Sequence, residues 1–573
     1  MNEITRILAL PDNGYPRPPL PDLGPATVRL RPAQQLALRE YVRALTTPSG
    51  AWGPRGSVAA LGCGHGKTLL GLLLPLVHAA VVGERPRVLY LMPASLLEQF
   101  HRDLASWAVS FPDLLRVGAT VLSHEALSAP NGKAKIRAAA PDLIIVDEAH
   151  AFADPESGRW RRVVDYLRAR IDCRVVVMSG SFSWKSVRQV RHIYLAALRD
   201  WCPLPVDSTI ASWSTCLDVG GEPSADDHAV VQPLLDWADC GSARGAYFAR
   251  LASTPGVTLT SEVSSNAALR CVFWRAELPP AVATAVADLD RRWVLPDGTE
   301  LLTALDVARH GGSLPLGYYH RWVPPVDPEW LACRAAWSGV VRALVTYAPG
   351  VYQTPGAVTA YAKAGKLDAR AQALYARWLE VADREPEQET VWIDGAVDHL
   401  RRLVETWSAD PARGAGSPLV WVDSPSAGEA VARALGWTYH GAGSRPPTGR
   451  PAVVSIDVHA TGWDGAPAAG YRSALVLQPP ASAKMWEQLL ARLHRGSGGK
   501  ADEIVYTVLG AGKRGFKAVA AGVAGARYVQ QTTGASQRIL LANWEGINID
   551  RVGGSVVGAA EDNIAEYGDE GDT

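Results

Sequence analysis

Residues 57–82, SVAALGCGHGKTLLGLLLPLVHAAVV, place a short apolar run, a glycine-rich break and a long apolar segment in immediate succession. The run ending at Leu61 reads as a buried strand. Leu69 to Val82 reads as a buried helix, shorter than the roughly 20 residues a bilayer crossing needs. A strand and helix joined this way belong to a parallel α/β sheet. In the turn, Gly64 and Gly66 let backbone N–H groups point inward on either side of His65. Lys67 adds a mobile positive charge and the helix N-terminus a positive dipole, a combination suited to gripping phosphates. Thr68 offers a hydroxyl to a magnesium ion. Leu61 stands where the strict pattern GxxxxGK[ST] has its first glycine. It is therefore read as the last strand residue, and Gly64 through Thr68 carry the loop's function.

Such a loop needs an acidic partner at the end of another buried strand, and PDLIIVDEAH, Pro141 to His150, supplies one after the apolar run Leu143 to Val146. Strand ends are where parallel sheets bind ligands. Asp147 is expected to act on magnesium and Glu148 to orient an attacking water.

The rest of the composition removes alternatives. With 57 basic and 58 acidic residues, no global positive field draws a polyanion, so a nucleic-acid site would have to be a local groove. The seven cysteines include no CxxC pair, which speaks against a zinc knuckle or a disulfide framework and for a reducing cytoplasm. Residues 1–27 lack a basic start followed by an apolar run, and their prolines suggest an extended arm. At 573 residues the chain exceeds what one hydrophobic core usually supports, so two domains and an insertion are expected.

Taken with the segments around them, the loop and the acidic turn resemble those of the superfamily 2 helicases and translocases, whose DEAH box stands at Asp147 to His150. LRPAQQLAL, Leu30 to Leu38, is similar to the segment in which a glutamine reads adenine, here Gln34. VLYLMPASLLEQF, with Pro93, and VLSHEAL, with Ser123, are similar to strands and loops that touch the nucleic-acid backbone. VVVMSGSF matches a coupling triplet with Ser179, Gly180 and Ser181. SIDVHATGWDGAP, with Thr461 and Asp464, resembles the family's motif V, and WEQLLARLHRGS resembles its motif VI with Gln488, Arg492 and Arg495 in register. The resemblance implies ATP and Mg²⁺ as cofactors. It also implies Asp464 and Gln488 near the nucleotide, and Arg492 and Arg495 as the arginines that complete the catalytic cleft beside Lys67 and Glu148.

The expected fold is α/β: two tandem RecA-like P-loop NTPase domains with a largely helical insertion between them. The first domain is expected over residues 28–210, the insertion over 211–410, the second domain over 411–545 and an acidic tail over 546–573. Apolar runs at Leu419–Val422, Ala452–Ile456, Ala474–Leu477 and Ile504–Leu509 supply strands for the second sheet. In the insertion, LGYYHRWVPPVDPEW alternates aromatics with arginine. Tyr319, Arg321 and Trp322 could stack on unpaired bases and grip phosphates, or they could be ordinary core residues.

The functional expectation is an ATP-dependent motor moving along nucleic acid, with DNA preferred over RNA. The alternatives are an RNA helicase, a duplex translocase that does not separate strands, and, from another class, a nucleotide-gated clamp with little turnover. No membrane association is expected. A cytoplasmic setting, bacterial or phage, is suggested by the GC-like composition and the lack of targeting signals.

Overall fold

The computed structural model describes residues 2–12, 17–23, 28–47, 53–180, 182, 185–260, 265, 267–301, 304–347, 355–414, 416–463, 466, 469–494 and 503–552. The first lobe is a parallel sheet of six strands: β1 (Gly56–Ala60), β2 (Val88–Met92), β3 (Ala119–Ser123), β4 (Leu143–Val146), β5 (Arg174–Ser179) and β6 (Val257–Leu259), ordered β3-β2-β4-β5-β1-β6. Alternate side chains along each strand feed opposite faces. Val58, Ile144 and Val175 join one core with the helices Gly158–Ala169 and Arg188–Leu198. Ala59, Ile145 and Val176 join another with Pro32–Thr46 and Lys67–Val82. Both faces are covered, which is why these strands read as continuous apolar runs rather than alternating ones.

The second lobe opens earlier than expected. β7 (Ala268–Ala276) follows β6 closely in the chain yet belongs to a second sheet. An excursion then carries β8 (Tyr318–Trp322) and β9 (Gln388–Trp392), an antiparallel ribbon. The chain returns through β10 (Leu419–Val422), β11 (Thr438–His440), β12 (Ala452–Ser455), β13 (Ser473–Val476), β14 (Glu503–Ala511) and β15 (Asn543–Glu545). The order is β11-β12-β10-β13-β14-β7-β15, parallel throughout. β7 pairs with β14 over nine residues, Ala268↔Glu503 to Ala276↔Ala511. The two parallel sheets, covered by helices, fit two RecA-like lobes.

The interval 211–410 is accordingly not one insertion. The helices Ile210–Leu217, Ala225–Ala238 and Ala243–Ser253 bury Trp213, Leu234 and Tyr247 in the first lobe's core. Ala396–Ala409 buries Leu400, Val404 and Trp407 against Val420 and Val422 of the second lobe. Between them, the helices Pro328–Tyr347, Pro355–Lys363 and Ala369–Leu379 build small cores of their own around Trp337, Tyr375 and Trp330.

The arm expected to be extended begins instead with the helix Glu3–Leu8, capped by Asn2, whose Oδ1 accepts the Thr5 N–H at 2.8 Å. Ile7 is buried in the first lobe, and the Arg6 guanidinium donates to the carbonyls of Asp200, Cys202 and Leu204. Ile4 and Leu8 pack beside Ile7, so an amphipathic helix docks here. The acidic tail lies outside the described residues from residue 553 onward. Among the described residues, no helix is long and apolar enough to cross a membrane.

Candidate functional site: a phosphate loop facing a second lobe

β4, β5 and β1 are neighbours in a parallel sheet, so their C-terminal ends lie side by side. This brings together the acidic turn after β4, the Ser-Gly turn after β5 and the glycine loop after β1. Leu61 is fully buried and its N–H donates to the Ser179 carbonyl at 3.0 Å, an extension of β1 toward β5. Gly64 and Gly66 take φ of 86° and 75°, the left-handed region open to glycine at no cost, and the helix Lys67–Val82 starts directly after.

Gln34 braces this loop. Its Nε2 donates to the Gly66 carbonyl at 3.0 Å and its Oε1 accepts the Arg31 N–H at 2.9 Å, while Arg31 Nη1 donates to the Gly64 carbonyl at 2.7 Å. Gln34 Nε2 thus holds the loop and its Oε1 caps the helix Pro32–Thr46, while the family resemblance implies a contact to adenine. His65 is buried within the loop, beside Gly62.

The Lys67 ammonium lies 3.6 Å from Glu148 Oε1 and donates to the Leu61 carbonyl at 3.1 Å. Glu148 has φ 49°, ψ 49°, a conformation that costs a residue with a Cβ about 1–3 kcal/mol and that recurs at functional sites. His150 Nδ1 lies 3.1 Å from Glu148 Oε2 and 2.9 Å from Ser179 Oγ, so a polar chain runs from β5 to Glu148. Gly180 follows, and a Cβ there would stand 3.4 Å from Lys67 Nζ. Ser181 lies outside the described residues.

Burial works to raise the Glu148 carboxyl, but Lys67 and the His150 hydrogen bond outweigh it and hold Glu148 below the usual carboxylate range. Asp147 moves the other way, raised by burial and by the charge of Glu148. Two adjacent carboxylates are thereby separated into an ionised one and one that protonates more readily, the pattern of sites that handle protons.

Asp147 and Thr68 line one small cavity of about 30 Å³ with Gln99 and Asp103. No cluster of three or more His, Cys, Asp or Glu suited to a metal occurs among the described residues. Two hard oxygen donors nevertheless fit Mg²⁺, which keeps several waters and takes its remaining ligands from phosphate.

The second lobe closes over this edge with the helix Ala483–Leu493. Lys484 on it interacts electrostatically with Glu148 and has its pKa lowered by burial. Arg492, 5% exposed, points into its own lobe: Nη1 donates to the Trp463 carbonyl at 3.0 Å and Nε to the Gln488 carbonyl at 3.2 Å. The Gln488 side-chain oxygen is buried without a hydrogen-bond partner among the described residues. Asp464 and Arg495 lie outside the described residues, as does the side chain of Thr461 in the helix Ile456–Gly462.

The sequence reading missed Lys484, although it stands one helical turn before Gln488 on the same face. It also missed Arg538, which no motif contains. Arg538 Nη2 reaches the Cys63 carbonyl of the glycine loop at 3.4 Å, and its guanidinium forms a buried ion pair with Glu487.

A groove of about 1170 Å³ separates the lobes beside this site, lined by Pro93 and Ser95 from the first and by Ser444, Val458 and Trp463 from the second. Among the described residues its charged lining is Glu98, Asp103, Glu125 and Asp457 against Arg102 and Arg445, which do not make a basic channel. Arg445 and Glu98 span it at 2.6 Å.

Ser123, expected at a strand contact, caps the helix His124–Ser128 by accepting the Ala126 N–H at 3.0 Å. In the ribbon, Tyr319 is buried with Leu289 and Leu314. Arg321 pairs with Glu389 at 2.7 Å, and Trp322 packs edge-on to Trp330 beneath the Arg334 guanidinium. These aromatics are core residues of the excursion and do not line the groove, because a ribbon this small needs them to build its own core.

No family model matches the chain, and no curated protein does. Among solved structures the chain is similar to the Sulfolobus solfataricus SWI2/SNF2 ATPase core in complex with dsDNA. The identity is 10%, the match covers 86% of this chain and 90% of that one, and the TM-score is 0.31, too loose an overlay to transfer a function. The chain's own topology and loop geometry make it a two-lobed α/β protein with a phosphate-type loop and an acidic pair at the lobe boundary.

Proposed function

We propose that this protein is an ATP-hydrolysing motor of the superfamily 2 kind acting on nucleic acid, with DNA the preferred substrate. The observation that carries the proposal is the convergence of Lys67, Asp147 and Glu148 at the ends of β1 and β4, the strands on either side of β5, facing a cation-bearing helix of the second lobe.

In this reading the loop amides and Lys67 bind the nucleotide phosphates, while Thr68 and Asp147 hold Mg²⁺. A Mg²⁺ held there would neutralise phosphate charge. Glu148 positions a water: a bond forms from its oxygen to the γ-phosphorus, the bridging P–O bond breaks with its electron pair leaving on ADP, and the proton passes toward Glu148. The His150–Ser179 chain holds Glu148 in place and ties it to β5. Opening and closing of the lobes around nucleotide would supply the bistable element a motor needs.

The acidic residues among the described lining of the groove favour one second reading, a nucleotide-gated clamp or scaffold with little turnover. One measurement separates the two: steady-state ATPase activity with single-stranded DNA, duplex DNA, RNA and none. The motor reading expects stimulation, greatest with DNA, abolished by Lys67→Ala. Activity that is equal in all four, or that survives Lys67→Ala, overturns it.

A further inference from the structure

We infer that Arg538, fixed by Glu487, is a residue through which the second lobe contacts the terminal phosphate of bound nucleotide, a role the motif pattern gives to Arg492 and Arg495. The inference rests on the ATP-hydrolysing reading above. Three observations carry it.

The first is direction. Two of the Arg492 donors, Nη1 and Nε, go to backbone carbonyls of its own lobe, at Trp463 and Gln488. Arg538 crosses the boundary, with Nη2 at 3.4 Å from the Cys63 carbonyl. Cys63 belongs to the glycine loop and is an electrostatic neighbour of both Lys67 and Lys484. The guanidinium therefore stands where the glycine loop meets the second lobe.

The second is preorganisation. Arg538 is 2% exposed. Glu487, on the helix that also carries Lys484, takes the Arg538 Nη1 in an ion pair and accepts its backbone N–H at 2.8 Å. One carboxylate thus holds both the guanidinium and the peptide it hangs from. A cation placed before the reaction begins costs no reorganisation when charge develops on the phosphoryl group.

The third is unfilled capacity. Glu487 uses one edge of the fork and the Cys63 carbonyl accepts only a long bond. Nε is buried with no hydrogen-bond partner among the described residues. A buried charged donor left unmade is expensive, and a phosphate oxygen is the acceptor whose geometry a guanidinium fork matches.

The test compares wild type with Arg538→Lys, Glu487→Gln, Arg495→Ala and Lys67→Ala. The readouts are kcat and KM for ATP, affinity for a fluorescent ADP, tightening of that ADP by aluminium fluoride, and the thermal unfolding midpoint. The expected result for Arg538→Lys is a kcat lower by on the order of 10³-fold, with ADP affinity and midpoint near wild type and the fluoride-dependent tightening lost. If that variant fails to fold, Glu487→Gln decides: it keeps the guanidinium but releases it, and should reproduce both the kcat fall and the lost tightening. The inference is overturned if the folded variants turn over like wild type while Arg495→Ala accounts for the whole loss. It is overturned equally if ADP affinity and midpoint fall in parallel with kcat, the mark of a structural role. The absence of any Lys67-dependent turnover in wild type defeats the ATPase reading itself and this inference with it.

Discussion

Gly66 joins conformation to function in a single residue. Its φ of 75° is open to glycine, and a Cβ built on it collides with Gln34 Nε2, the atom that braces the loop. Gly66→Ala should therefore lower stability by about 1–2 kcal/mol from the left-handed backbone alone and weaken nucleotide binding more than that loss explains. Denaturant unfolding and an ATP-analogue titration on the same protein check both. Glu148 makes the complementary case. Glu148→Gln removes the charge that Lys67 and His150 hold in place but keeps the shape, so kcat should fall about 10²–10⁴-fold, the usual worth of a positioned acid–base group. Nucleotide affinity should be unchanged or tighter, because Lys67 loses a competitor for phosphate; equilibrium binding set beside steady-state turnover measures the split.

Among the elements, β7 matters most to how the chain can be divided. It lies between β14 and β15, over a hundred residues from either in sequence, and without it β14 would expose a long apolar edge. A fragment of residues 411–552, cut at the expected boundary, should aggregate. One spanning 265–552 should be monomeric and cooperatively folded, as size-exclusion chromatography and circular dichroism would show. Within that pair, Gly510 faces the Phe273 ring so closely that a Cβ has no room. Gly510→Val should cost about 1–3 kcal/mol by overpacking and lower the thermal midpoint of the 265–552 fragment. The strands themselves were legible as apolar runs, since a strand covered on both faces has only one way to look. The pairing of β7 was not, because hydrophobicity names a strand but not its neighbour.

For the whole molecule, the lobes meet through distributed contacts rather than one strong tie. Arg445–Glu98 is exposed and such a pair is worth about 0–1 kcal/mol. Arg244, by contrast, donates to Gln531 at 2.8 Å and lies over the Tyr528 ring, joining the helices Ala243–Ser253 and Gly512–Thr533. Four buried histidines set the response to acid. Burial pushes His78, His124, His310 and His459 down to about 4, against about 6.5 in an unfolded chain. Between those values the unfolded state binds more protons, so stability rises with pH across the window and is lost as pH falls from about 6.5 to about 4. Asp218 and Asp147, raised to about 6, oppose this between about 4 and about 6, where the folded state holds the extra protons. The four histidines outnumber the raised carboxyls and act alone between about pH 6 and 6.5: the unfolding midpoint should drop as pH falls below 6.5, and His124→Gln should flatten the drop. A midpoint independent of pH between 4.5 and 6.5 would contradict it.

By itself the sequence determined what depends on one strand and the turn that follows it. The glycine loop at Gly64–Thr68, the acidic pair Asp147–Glu148 and the Ser179–Gly180 turn lie where their flanking apolar runs put them, because in a parallel sheet every such turn emerges at the same end. The tertiary structure decided what depends on how distant elements rotate against each other. It set Gln34 to brace the loop, directed two Arg492 donors to carbonyls of its own lobe, buried Tyr319 in the excursion's own core and brought Lys484 and Arg538 to the glycine-loop edge. The spacing of a motif fixes which face of a helix a side chain occupies, whereas the group that face meets is fixed only when the second lobe packs against the first.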